Sequence, residues 1–302
     1  MCFYRREHLL KNFLVLSACF ALLFVGCSKK SAAGAGGAGT GEAADTQEIP
    51  QRIVTLSPSA TEILYAIGAA NQIVAVSEFS DYPPEALQQP RVGGFDGKTL
   101  SMEKILSFKP DFVYMTQGMH NFLIEQLESY GIAYYLSRGD NIQAVCQEIV
   151  EIARITGHEG EGMAIAKKIE GQCEEVYKFE KPVLLYYEVW NSPFMTAGTK
   201  SFIHDVITKA GGLNIFADLE EPYPIISEES LIARAPEVIL LPVSNGITAD
   251  DVKARAGWQD IPAVKNNRIY LIDDALFSRP ATRIGDCVLE LNELLAGSFS
   301  EE

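Results

Sequence analysis

The chain has 302 residues, 47% hydrophobic and 22% charged, a composition that excludes a disordered or fibrous protein. Its 25 Lys+Arg against 40 Asp+Glu give a net charge of -15, which offers no electrostatic footprint for a phosphate backbone and argues against nucleic-acid binding. Four histidines in all (His8, His120, His158, His204) argue against a multi-histidine metal site.

In chain order, Arg5, Arg6 and Lys11 precede an apolar stretch, Asn12 to Val25, that is too short for a comfortable transmembrane helix. The pattern is that of a secretory signal peptide over residues 1–26. It ends Leu23-Phe24-Val25-Gly26-Cys27, which resembles a bacterial lipobox, with Phe24 where Leu is usual. The resemblance implies lipidation of Cys27. Residues 27–50, rich in Ala, Gly and Ser, predict a flexible tether that would hold an exported domain at a membrane surface without inserting it. Beyond the signal no apolar run is long enough to span a bilayer.

The remaining chain alternates strand and helix. Arg52–Leu56 predicts a strand, and Thr61–Ile67 a helix closed by Gly68. Strand Ile73–Val76, helix Ser101–Phe108 and strand Asp111–Met115 follow. Then come helix Asn121–Tyr130, strand Ile132–Leu136 and helix Asn141–Thr156. Glu159–Phe179 has one long helical pattern, interrupted in propensity by Gly160, Gly162 and Gly171. After Pro182 the alternation resumes: strand Val183–Val189, helix Ser201–Ala210, strands Glu237–Leu241 and Arg268–Ile272, helix Ile284–Leu295. The expectation is an α/β fold of two lobes with central parallel sheets, residues 51–157 and 181–302, joined by one long helix over 158–180. Cys146, Cys173 and Cys287 have no framework spacing, and buried thiols are expected for the first two, which fall in helical patterns.

An internal repeat at an offset of 126 aligns Ser101–Met115 with Ser227–Leu241. Each copy reads as N-cap serine, acidic first turn, short helix, proline turn and strand. Glu103 and Glu229 occupy equivalent first-turn positions. They are either carboxylates complementing helix dipoles or paired docking points for a symmetric basic partner.

The run Arg52-Ile-Val-Thr-Leu-Ser-Pro-Ser-Ala-Thr-Glu62 resembles the opening of class III ABC-importer substrate-binding proteins, the receptors of cobalamin, siderophores and haem. So do Ser80-Asp-Tyr-Pro-Pro84, Lys109-Pro-Asp-Phe-Val113, Ala210-Gly-Gly-Leu-Asn-Ile215, and Gly257-Trp258 with Ile261–Tyr270. The resemblance covers about residues 51 to 296 and implies two lobes bridged by a rigid helix with the ligand between them. It makes Glu103 and Glu229 the positions that salt-bridge arginines of a dimeric permease served by an ATPase.

Within that family the chain is most similar to the cobalamin-binding branch. The resemblance puts Tyr82, Phe95, Phe194 and Tyr223 in the cleft; Phe95 and Tyr223 replace tryptophans, and Thr116 stands where a third would be. Flat apolar walls suit a large planar macrocycle. Arg279 and Arg283, in Ser-Arg-Pro-Ala-Thr-Arg, resemble arginines that suit a ferric siderophore. Tyr82, His120 and Tyr223 are the candidates for an axial haem ligand, although His120 also fits a solvated loop; His204 fits a structural role. The expected ligand is a transported metal chelate, not a cofactor. Gly-x-Ser-x-Gly and phosphate-loop motifs are absent, and Ser57-Pro-Ser59 has no histidine with a claim as its base, so an enzyme is not expected. An exported sensor or scaffold on the same fold is the other alternative.

Overall fold

The computed structural model describes residues 48–94 and 98–299. The expected signal peptide, Cys27, most of the tether and Phe95 lie outside the described residues. The first sheet is built from β1 (Ile53–Thr55), β2 (Ile73–Ser77), β3 (Arg91–Gly93), β4 (Phe112–Thr116) and β5 (Ala133–Ser137). Between them come α1 (Pro58–Ala66), α2 (Met102–Ser107) and α3 (Ile124–Ser129), and α4 (Ile142–Thr156) follows. The strand order is β3-β2-β1-β4-β5, all parallel.

After α5 (Glu159–Glu174) the second half runs β6 (Val183–Tyr187), β7 (Trp190–Asn191), β8 (Phe194–Met195), α6 (Phe202–Lys209), β9 (Gly212–Asn214) and α7 (Glu228–Arg234). It continues with β10 (Val238–Pro242), α8 (Ala249–Lys253), α9 (Pro262–Lys265), β11 (Ile269–Ile272), α10 (Asp274–Phe277) and α11 (Ile284–Ser298). Its main sheet has the parallel order β11-β10-β6-β9, and β7 and β8 form a small antiparallel hairpin.

The two sheets share a plan. β2-β1-β4-β5 in one corresponds to β9-β6-β10-β11 in the other, and the sequence repeat supplies α2-β4 and α7-β10. The side chains of Ser101 and Ser227 cap their helices by accepting from the backbone N–H of Lys104 and Ser230. Lys109 and Ala235 both take a left-handed conformation, at φ 49° and 45°, before Pro110 and Pro236. The carboxylates that follow do the same work in both lobes. Asp111 accepts from the N–H groups of Gln51 and Arg52, and Glu237 from that of Leu184, so each pins the entry of the neighbouring central strand.

Helix α5 lies between α4 and α11. A Cβ on Gly162 would come within 2.3 Å of the Ala153 Cβ, and one on Gly285 within 2.4 Å of Gln172 Oε1. Glycine at both seams therefore allows close helix approach. Ile149 of α4, Ile169 of α5 and Val288 of α11 join one buried cluster that runs through both lobes. The helix expected to reach Phe179 stops at Glu174, 16 residues from its start and about 24 Å long. Asn292 of α11 explains the exit: its side chain accepts from Tyr177 N–H and donates to the carbonyls of Tyr177 and Ala210, leaving that backbone unavailable for further helical turns. Cys146 and Cys287 are buried free thiols and Cys173 is half-buried. No described helix is long and apolar enough to cross a membrane.

Candidate functional site

Parallel sheets place their ligand sites outside the carboxyl ends of the strands. There the two lobes enclose a cavity of about 780 Å³, within the usual range for a ligand site. The first lobe contributes Ser57–Ser59 at the start of α1, Phe79, the end of β4 and its loop (Thr116, Gln117, Met119), and Ser137–Asp140 after β5. The second contributes Lys200–Phe202, Pro222, Tyr223, Asp274 and Ser278–Pro280.

A buried hydroxyl chain sets the loop that carries Phe79. Thr55, Thr61, Ser80 and Ser77 are linked at 2.6, 2.8 and 2.9 Å, and Arg91 donates to the carbonyls of Ser77 and Ser80. The same loop presents Asp81, whose carboxylate accepts from Arg279 Nη1 at 2.6 Å across the lobe boundary. That bond from Arg279 holds the Asp81 carboxyl below the usual carboxylate range.

A second pair spans the boundary beside it. Arg283 Nε and Nη2 donate to the two oxygens of Glu62, at 3.1 and 2.9 Å, and Thr282 Oγ1 donates to the same carboxylate. Glu62 is 2% exposed. The Arg283 guanidinium also sits 3.7 Å over the Tyr82 ring, a cation–π contact. Three segments noted separately in the sequence, ending at Glu62, around Asp81-Tyr82, and Arg279 to Arg283, thus meet in one latch between the lobes. Among the described residues no group of three His, Cys, Asp or Glu side chains could hold a metal ion. The arrangement has the walls and polar groups to enclose and orient a ligand.

The periplasmic binding protein family model matches residues 53–276. The chain belongs to the periplasmic binding protein family. Among its relatives is the vitamin B12-binding protein of Vibrio campbellii, 32% identical over 247 residues that cover 80% of this chain and 88% of the relative. The corresponding Vibrio cholerae protein is 31% identical over 79% of this chain and 86% of its own length. Solved structures give the same picture. The periplasmic vitamin B12 binding protein BtuF of Vibrio cholerae aligns with a TM-score of 0.70 and 29% identity, covering 83% of this chain and 98% of that one. The periplasmic heme binding protein HutB of Vibrio cholerae aligns with a TM-score of 0.71 and 25% identity, over 81% and 98%.

Set within this periplasmic binding protein fold, the expected site residues separate. Thr116, Tyr223 and Arg279 line the cavity. Tyr82 does not; it lies at the lobe boundary under Arg283. Phe194 does not either. It packs against Trp258, ring centroids 5.8 Å apart, with the Arg255 guanidinium 5.1 Å from its own ring. His120 is fully buried, not solvated. Its Nδ1 accepts from Thr116 N–H at 3.0 Å, and burial lowers its pKa to about 4. In this position it tightens the loop after β4 and is not open to a haem iron. Half-buried His204 shares a hydrogen bond with Asn214 and is structural.

Glu103 and Glu229 are both exposed in the first turns of α2 and α7. The neighbouring Glu228 is occupied by the Trp258 indole N–H at 2.6 Å, which leaves Glu229 as the outward carboxylate. Phe79, Met119, Arg138 and Lys200 are lining residues that sequence motifs did not single out. They stand at or near loop ends following a strand or preceding a helix, and only that position could have drawn attention to them.

Proposed function

We propose that the chain is the substrate-binding protein of an ABC importer, capturing a metal chelate and delivering it to a membrane permease, with a corrinoid such as cobalamin preferred over a ferric siderophore. The observation that carries the reading is the cavity between two matched α/β lobes, walled by Phe79, Met119, Phe202, Pro222 and Tyr223 and ringed by polar groups. The apolar wall buries a macrocycle face, while Arg279 and the loop hydroxyls orient its polar edge. The vitamin B12-binding relatives support the corrinoid. A haem is the second reading, supported by the heme-binding neighbour and by the phenol of Tyr223 on the cavity wall, an oxygen donor suited to ferric iron.

Permease docking through Glu103 and Glu229 is supported by their exposure and equivalent placement in the two lobes. Lipidation at Cys27 would hold the exported domain near that permease; Cys27→Ala should release it from the membrane fraction, and unchanged retention would remove the anchor. The reading as a whole is tested by calorimetric titration of the purified protein with cyanocobalamin, haemin and a ferric siderophore. Saturable binding of one of them at a single site is expected, and failure of all three to bind would reject the chelate receptor.

A further inference from the structure

The hairpin that carries Phe194 has a second face. Strand pairing sets Trp190 opposite Met195, and Met195 is bridged to Ile225. Directly opposed residues of an antiparallel pair project from the same side, so Trp190, Met195 and Ile225 form one row across the hairpin and the segment bridged to it. Phe194, the next residue along, projects to the other side, where Trp258 and Arg255 receive it. The row faces outward: Trp190 is 48% exposed and Ile225 63%. The Trp190 indole N–H donates to Ser192 O at 2.9 Å, which fixes the ring within its own turn.

This row is continuous with the cavity. Thr196 N–H donates to Pro224 O and Gly198 N–H to Pro222 O, so the segment Pro222 to Pro224, with Tyr223 in it, is held alongside the chain that follows Met195. Tyr223 lines the cavity and lies two residues before Ile225 in the chain. An apolar surface therefore leaves the cavity at Tyr223 and continues over Ile225 and Met195 to Trp190.

We infer that Trp190, with Met195 and Ile225, is an outer wall of the ligand site that receives the apolar face of a planar macrocycle extending beyond the cavity. The inference rests on the chelate-receptor reading. Continuity with the cavity identifies the occupant as the bound chelate, and a rigid indole contributes a large flat contact with little loss of rotamer freedom.

Trp190 and Trp258 are the two tryptophans of the chain, and Trp258 is fully buried. Trp190 can therefore be followed by hydroxyl-radical oxidation and peptide mass analysis of the full chain, with exposed Tyr130 and Tyr177 as references. Cyanocobalamin and haemin are the probes. Saturation with the probe that binds should lower Trp190 oxidation at least severalfold relative to the references. Trp190→Ala should weaken that probe by roughly tenfold, and Trp190→Phe should retain most of the affinity. Tight binding with Trp190 as reactive as in the free protein, or with Trp190→Ala at wild-type affinity, overturns the outer wall and leaves the receptor standing. If loss of Trp190 spares ligand affinity but abolishes delivery in reconstituted transport, the row belongs to the permease contact instead. If neither probe binds the wild type, the receptor reading falls and the wall falls with it.

Discussion

Replacing Arg283 by methionine removes the cation of the inner latch while keeping much of its apolar volume. Glu62, 2% exposed, would be left with the Thr282 hydroxyl as its remaining partner from that segment. Breaking a fully buried ion pair by removing one partner costs about 3–5 kcal/mol. The Arg283 side chain is 21% exposed, so solvent screens part of the pair, and about 2–4 kcal/mol is the expectation. Loss of the contact with Tyr82 adds about 0.5–1 kcal/mol. Denaturant unfolding of the ligand-free protein reads the sum. The companion Glu62→Leu/Arg283→Met double variant removes both charges and should recover most of the loss, because an uncompensated carboxylate is the costly species. A single variant within about 0.5 kcal/mol of wild type, or a double variant no better than the single, would refute the argument that a desolvated pair joins the lobes.

Glu103→Ala combined with Glu229→Ala should leave stability within roughly 1 kcal/mol and chelate affinity unchanged while abolishing delivery in reconstituted transport; normal delivery would return both glutamates to helix-dipole compensation. Tyr223→Ala should weaken chelate binding about tenfold, whereas Phe194→Ala should spare affinity and lower stability by about 1–3 kcal/mol, as measured by titration and unfolding on the same samples. His120 is buried neutral, with a folded pKa of about 4 against 6.5 unfolded. Its contribution is therefore fully present above pH 6.5 and is lost as the pH falls towards 4, by about 3 kcal/mol in all. A His120→Gln variant should show a shallower acid limb over that window, and an unchanged limb would place the titration elsewhere.

The alternation of strand and helix was legible because the central strands are apolar runs bounded by turns, and serine caps mark several helix starts. The offset repeat carried further than periodicity alone. It anticipated that α2-β4 and α7-β10 are equivalent, and the structure carries that equivalence further, to the paired left-handed residues before Pro110 and Pro236. The side of the hairpin to which Phe194 turns was not legible, since two-residue strands are too short for alternation to declare a face. The latch was hidden for a different reason: Glu62 and Asp81 find their partners about two hundred residues along the chain. Spacing carries no information about a contact made between two lobes. The early end of α5 depends likewise on Asn292, a remote side chain that claims the backbone of Tyr177.

Native mass spectrometry with absorbance spectroscopy of the full chain purified from its own organism tests the central claim most directly. A corrinoid, a haem and a ferric siderophore differ in mass and in spectrum. One equivalent of a metal chelate, lost together with its absorbance in the Tyr223→Ala variant, is the predicted result. A protein that carries a metal-free small molecule instead, or a chelate retained undiminished by that variant, would contradict the assignment of the inter-lobe cavity.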